Sequence, residues 1–368
     1  MNHDSNPANQ EGPARTSRVT TRAAANVTTL TKRWLRRIFT IPLYSAILAT
    51  LLILFVPLLA VAAACDKVRR QHWTLVRTLA FFVWYLALEL AGVAAAFMIW
   101  LTGGPWTGRD QERYLARNYA LQAWWAGMLG GGGFAIFGMH TEIDRNDSII
   151  NERPVLVFVR HASTADTIMA AQLLAAPYGL HLRYVLKREL LWDPCLDIVG
   201  NRLPNVFVDR DSAHSEQEIA SIGALAHGIR AGEGVLIYPE GTRFSLAKKR
   251  RIVDKLRMQG QIAKADEAES LRHVLRPRSG GALALLAAAP EADVVFLAHT
   301  GFEAASSFDR FFRGGLVGRT VHVQIRAVPK SLIPEGRVAQ QAWLMQQWRE
   351  VDEFIESHER RRCRSSAN

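Results

Sequence analysis

Two short polar stretches follow apolar runs in this chain, and both carry residue types that can do chemistry. The first, "RHASTAD" (160–166), places His161 and Asp166 five residues apart after the run 154–159. If that run is a strand and a helix begins just beyond it, the imidazole emerges from the strand and the carboxylate from the first helical turn. Asp166 could then accept from one ring nitrogen and leave the other as a general base. This is the His–Asp half of a triad without its serine. Ser163 and Thr164 read as helix caps, since the first N–H groups of a helix need an acceptor. Taken alone, the spacing describes a satisfied histidine beside a helix start. The second stretch, "GVLIYPEGTRFS" (234–245), ends the run 235–238 in the turn Pro239, Glu240, Gly241, Thr242, Arg243. Gly241 permits close backbone approach to a ligand, and Arg243 offers a planar fork of donors suited to phosphate. A tight turn with a surface arginine fits those residues equally well.

The elements that must position these turns have a regular texture after residue 150. Strand-length apolar runs (154–159, 182–186, 205–208, 235–238, 293–297, 321–327) alternate with helical patterns (164–176, 215–231, 279–289, 338–356). This predicts an α/β fold with a mostly parallel sheet and helices on both faces. Sites in such sheets lie beyond the carboxyl ends of the strands, where both polar turns fall. The sequence has no internal repeat.

The chain has 368 residues, a formal charge of +11 and a pI near 9.9, which call for an anionic partner. Its basic residues flank apolar runs: Lys32, Arg33, Arg36 and Arg37 precede one, and Lys67, Arg69, Arg70 and Arg77 follow it. They do not alternate with aromatics along a soluble face, so a membrane surface is expected and a nucleic acid is not. Residues 38–65 carry no charge and exceed the ~20 residues needed to cross a bilayer. The run 78–101 is interrupted only by Glu89, which must face protein or water. The two together predict an N-terminal hydrophobic membrane hairpin over 32–104, behind a disordered basic arm over 1–31. An interfacial connection over 105–149 follows; its four consecutive glycines, Gly130 to Gly133, disfavour a third span. The α/β domain is expected over 150–335, and a C-terminal helix with a basic tail over 336–368. Three scattered cysteines, Cys65, Cys195 and Cys363, define neither a disulfide framework nor a zinc cluster, and no metal site is expected.

Taken together, the two turns resemble the glycerolipid acyltransferases typified by 1-acylglycerol-3-phosphate acyltransferases. There an H-x4-D block precedes an E-G-T-R block by some tens of residues, as His161, Asp166, Glu240, Gly241, Thr242 and Arg243 do here. "LKRELLWDP" is similar to the family's lysine-containing strand exit, with Lys187, and "GNRLPNVFVDR" to its block ending in an arginine, Arg210. The resemblance covers about 150–329. It implies a membrane-bound O-acyltransferase with His161 as base and Asp166 as its orienter. Arg243, Arg210, Glu240, Gly241, Thr242 and Lys187 would bind substrate. The implied partners are a lysophospholipid acceptor, most simply 1-acylglycerol 3-phosphate, and an acyl-CoA or acyl-carrier-protein donor, with no resident cofactor. The cytoplasmic face of the inner membrane is the expected location if the source is bacterial. The family's fourth block is commonly an apolar strand with a proline; here "DVVFLAHTGFE" has Ala298 and His299 in its place. The segment 244–278 is long and basic, similar to the lysophospholipid branches. It reads equally as a solvated loop or as a contact for anionic headgroups or donor phosphates. A lipid-binding protein without turnover is the alternative from another class.

Overall fold

The computed structural model describes residues 13–104, 107, 110–146, 150, 152–163, 166–208, 215–303 and 308–365. Its strands are β1 (His140–Asn146), β2 (Val155–Val159), β3 (His181–Lys187), β4 (Val206–Val208), β5 (Glu233–Ile237), β6 (Asp293–Thr300) and β7 (Thr320–Val328). They form one sheet in the order β1-β7-β6-β2-β5-β3-β4. From β6 through β4 every neighbour is parallel, whereas β7 runs antiparallel to β6, and β1 lies parallel to β7. The central strands β2 and β6 are buried throughout because both of their faces are covered.

One face of the sheet, presenting Val157, Val159, Leu236, Val295 and Leu297, packs on the helical segment after β2. That segment is α5 (Asp166–Ala170), a π-helical turn (Ala171–Ala175) and α6 (Ala176–Tyr178), with α4 (Gln111–Phe137) outside it. The opposite face, with Leu156, Phe158, Val235, Ile237 and Phe296, is covered by α8 (Ser215–Leu225), α11 (Ser279–Ala288) and α13 (Arg337–Ser365). Trp348 of α13 is fully buried there against Phe296. The remaining helices are α1 (Pro13–Ile53), α2 (Phe55–Val68), α3 (Thr74–Gly103), α7 (Pro194–Gly200), the pair α9 (Leu246–Met258) and α10 (Ile262–Ser270), and α12 (Phe308–Phe312).

The structure corrects the sequence reading in the N-terminal third. Helix α1 begins at Pro13, inside the stretch expected to be a disordered arm, where the alanines and arginines of "TRAAANVTT" are compatible with helix. Strand β1 lies in the supposed interfacial connection; its residues are exposed and polar, so no hydrophobic alternation announces it. The four-glycine run sits inside α4, where its lack of side chains permits close packing. A Cβ on Gly132 would stand 2.0 Å from Trp84 Nε1 of α3, and one on Gly130 would stand 2.3 Å from Gln172 of the π-helical turn.

Among the described residues, two helices, Leu30–Ile53 and Thr74–Gly103, are long and apolar enough to cross a membrane. They are not a detached appendage. Helix α3 lies between α1 and α4, and Glu89 on its inner face is fully buried, accepting from Cys195 N–H of α7 at 3.1 Å. Arg202 Nη1 reaches Ala96 O at 2.7 Å. Helix α1 is tied down by Asp197 of α7, whose buried carboxylate takes Arg37 Nε at 2.7 Å, Arg36 and the Asn201 amide. The outer surfaces leave Ile47, Leu52, Ile53, Val56, Phe97 and Leu101 exposed, an apolar area that a monomer in water rarely carries.

Asp197 therefore ties helix α1 to α7. Asp197→Ala should strand two arginines at a half-buried contact and destabilise the fold by about 3–5 kcal/mol. The check is thermal unfolding in detergent, with Asp197→Asn, which keeps part of the hydrogen bonding, falling between variant and parent.

Candidate active site

The two polar turns meet at the carboxyl ends of β2 and β5, which are adjacent strands in register from Val155↔Gly234 to Phe158↔Ile237. Equal progress along parallel neighbours brings residue 161 beside the turn that starts at 239. The junction is made by the backbone of His161. Its N–H donates to Glu240 Oε1 at 2.7 Å, and its carbonyl accepts from Phe244 N–H at 2.8 Å. The E-G-T-R turn is thus bonded on both sides to the residue expected to be the base. Glu240 also takes Leu275 N–H on Oε2 at 2.8 Å, which ties in the segment leading to α11. Its carboxylate is 1% exposed and engages two backbone donors, so it shapes the turn and does not face a ligand. Burial pushes it up to about 8, although the His161 and Leu275 N–H groups pull the other way.

His161 is 8% exposed, and Asp166 is fully buried. Asp166 Oδ2 receives His161 Nδ1 at 3.1 Å, Ala162 N–H at 2.6 Å and Ser163 N–H at 2.9 Å, while Oδ1 receives the Ser163 hydroxyl at 2.9 Å. Burial by itself would push this carboxyl up, but His299, the His161 ring and the Ser163 N–H outweigh it and hold it below the usual range. Asp166 is an anion over the whole physiological range. It fixes the tautomer with the proton on Nδ1, so base chemistry falls to Nε2. The Ser163 hydroxyl donates to this carboxylate and Ser163 is fully buried, which suits a structural part and not a nucleophile. The π-helical turn right after α5 belongs to a class of local distortion found often at functional sites.

The remaining expected site residues separate into groups. Gly241 adopts φ +70, a left-handed conformation, and a Cβ there would come within 2.9 Å of Arg278 Cδ, which lies across it. Thr242 Oγ1 and Arg243 O both accept from Lys248 Nζ at 3.0 Å, so the first turn of α9 fastens the loop. The Arg243 side chain is half-buried and makes no ion pair with a described residue, leaving its fork for a ligand. Lys187 ends β3, on the far side of β5 from β2, and pairs with Glu189 at 2.5 Å. Arg210 lies outside the described residues, as does Thr164.

Sequence reasoning missed three neighbours. Tyr238 lays its ring against His161 with centroids 4.5 Å apart. Arg160 is buried and points to the opposite face, where it binds His299 O at 2.5 Å, Glu303 at 2.6 Å and His273 O at 3.0 Å. His299 of β6 stands 3.4 Å from Asp166. An arginine at the end of a buried strand was the available signal for the second, since a charge there must be paired.

Glu240→Ala should leave the His161 and Leu275 N–H groups buried and unpaired, each costing about 1–3 kcal/mol, and should lower any His161-dependent activity along with stability. The linkage has a definite sign. A carboxyl whose folded pKa is raised binds its proton more tightly in the folded state, so its contribution to stability is present at low pH and lost as pH rises through about 8. The stability difference between the parent and Glu240→Gln should therefore shift against the parent as pH increases from about 6 to about 9, which chemical denaturation at several pH values would measure.

Comparison with known proteins agrees with this geometry. The Acyltransferase family model matches residues 140–298, from the start of β1 nearly to the end of β6. Over 132 residues the chain is 33% identical to the mouse (Mus musculus) 1-acyl-sn-glycerol-3-phosphate acyltransferase epsilon, a match spanning 35% of this chain and only 34% of that protein. The crystal structure of the 1-acyl-sn-glycerophosphate acyltransferase PlsC from Thermotoga maritima superposes with a TM-score of 0.51 at 16% identity, covering 78% of this chain and 97% of that one, a likeness of fold. Residues 140–298, which hold both polar turns, are thus similar to the acyltransferase family.

Proposed function

We propose that the protein is a membrane-associated O-acyltransferase that moves a fatty acyl group from an acyl thioester to the free hydroxyl of a lysophospholipid, with 1-acylglycerol 3-phosphate as the preferred acceptor. The observation that carries this reading is the double backbone bond between His161 and the E-G-T-R turn, which couples a base to an arginine fork. A glycerol hydroxyl is a poor nucleophile at neutral pH, so it needs a base as it attacks. His161 Nε2 takes the hydroxyl proton while the oxygen adds to the thioester carbonyl. Asp166 stabilises the imidazolium that results. Collapse of the tetrahedral adduct breaks the C–S bond, and the proton on His161 passes to the departing thiolate. No acyl-enzyme forms. Arg243 holds the acceptor phosphate and so presents the hydroxyl to Nε2; effective molarity from such placement is a large part of the rate. The name of the mouse relative supports the choice of acceptor.

The exposed apolar surfaces of α1, α2 and α3 support embedding in a lipid layer, where the acceptor and the acyl chain both reside. An acyl-CoA or acyl-carrier-protein donor places the site on the cytoplasmic face. The thioester is itself the activated acyl group, so this chemistry calls for no resident cofactor.

Purified protein given an acyl thioester and a panel of lyso-acceptors should form the diacyl product, detected by mass spectrometry, with the highest kcat/KM for the phosphomonoester acceptor. A protein that binds these lipids and acylates none would be a lipid-binding domain. His161→Ala should lower kcat by ~10²–10⁴ with acceptor binding retained. Arg243→Ala should raise the acceptor KM by about tenfold or more, and Arg243→Lys should recover only part, since lysine supplies charge without the fork.

A further inference from the structure

We propose that His299 is a positioning residue for the His161–Asp166 pair, so that the base works as a three-membered His–Asp–His array spanning two strands. This rests on the reading just given. Strands β2 and β6 are parallel neighbours with Val159 opposite Leu297, and the two histidines lie two residues beyond those partners. Equal offsets from a paired position place both imidazoles on the same face at the same height of the sheet. Asp166 rises between them. Its Oδ2 takes His161 Nδ1 at 3.1 Å, and its Oδ1 faces His299 Nε2 at 3.4 Å.

The tautomer of His299 follows from its surroundings. Nε2 faces two acceptors, the Asp166 carboxylate and Arg160 O at 3.2 Å, so it carries a proton that both share. At 3.4 Å the carboxylate contact is long for a hydrogen bond, and its effect is mainly electrostatic between two fully buried side chains. Nδ1 is buried without a partner among the described residues, and protonating it would bury a further unsatisfied donor. Burial accordingly holds His299 below its ordinary pKa against the pull of Asp166 and Glu303. The charged and titratable groups around it are Asp166 from α5, Arg160 and His161 from the β2 exit, and Glu303 beyond β6, the last paired to Arg160. Its partner in register on β7 is the apolar Val323.

A fully buried histidine with an unsatisfied nitrogen is a poor choice for packing alone. The strand around it, "DVVFLAHT", is otherwise apolar on this face, and a leucine would continue the pattern. What His299 adds is a polar N–H group 3.4 Å from the carboxylate that orients the base. Its dipole offsets part of the negative charge on Asp166.

The test uses the full-length protein with His299→Leu, His299→Met and His299→Gln. Removing the N–H leaves Asp166 more strongly negative, which makes His161 hold its proton more tightly. The acid limb of the pH–rate profile of the Leu and Met variants should therefore move up by about half a pH unit, which lowers kcat about threefold on that limb with an unchanged acceptor KM. Gln, whose amide can donate to the same oxygen, should restore most of the rate and return the limb to the parent position. Met is the unbranched, adaptable alternative if Leu does not fold. Adding His299→Met to Asp166→Asn should cost little beyond Asp166→Asn alone, because His299 acts through that carboxylate. A folded Met variant with the parent's kcat and pH profile, or losses that add in the double variant, would overturn the proposal. Imidazole NMR titration of His161 in the parent and His299→Met separates the two readings: a protein with no acyl transfer would end the proposed function, while an unshifted His161 would end the array.

Discussion

The Glu240 carboxylate is the joint on which the site depends. It is buried at the end of β5 and accepts from the backbone of His161, at the end of β2, and of Leu275, on the approach to α11. Three chain segments far apart in sequence are thereby brought to one point. Two hydrogen bonds to backbone N–H groups in a low-dielectric interior are stronger than their surface counterparts, and a backbone partner cannot swing away as a side chain can. His161 is therefore placed by its main chain before its side chain makes any contact.

Around that joint the site is layered by function. Asp166 gathers the donors of the loop ahead of α5 and gives the His161 ring its orientation. On the opposite face of β2, Arg160 fastens the β6 exit and the segment at His273, so the loops lining the site are held from below. Lys248 closes the outer side by bonding Thr242 and the Arg243 carbonyl. Rigidity is thus concentrated in the backbone.

The N-terminal helices follow the same logic. Helix α3 is long and apolar enough to be taken for an independent span, yet its inner face is committed to α4 and α7 through Glu89, Gly132 opposite Trp84 and the Arg202 contact. A charged residue in such a helix is accommodated by protein. The apolar surface that remains belongs to helices packed on the folded domain, so its distance from the site is set by packing and not by a linker.

The sequence by itself determined the layer architecture and the two motif turns. Strand-length runs such as "VLVFV" and "DVVFLAHT" between helical patterns permit few arrangements other than a sheet covered on both faces, and reactive residues at strand exits mark the carboxyl end. Spacing along the chain also paired His161 with Asp166, because five residues across a strand–helix junction is a local distance. Other features were settled only by tertiary structure. Strand β1 is polar and exposed, with no periodicity to betray it, and β7 took the antiparallel direction through pairings with β6 that no local pattern encodes. The four glycines spoke only against a third span; that they let Trp84 and Gln172 pack closely on α4 was shown by tertiary structure. Glu240 read as a possible ligand contact until its carboxylate was found on two backbone donors from distant segments. His299 stood 133 residues from Asp166 in a run that looked like plain core; its relation to the base exists only because β6 lies beside β2 in register. Local composition specifies elements, whereas contacts across the sheet depend on strand order, which is decided by the packing of the whole chain.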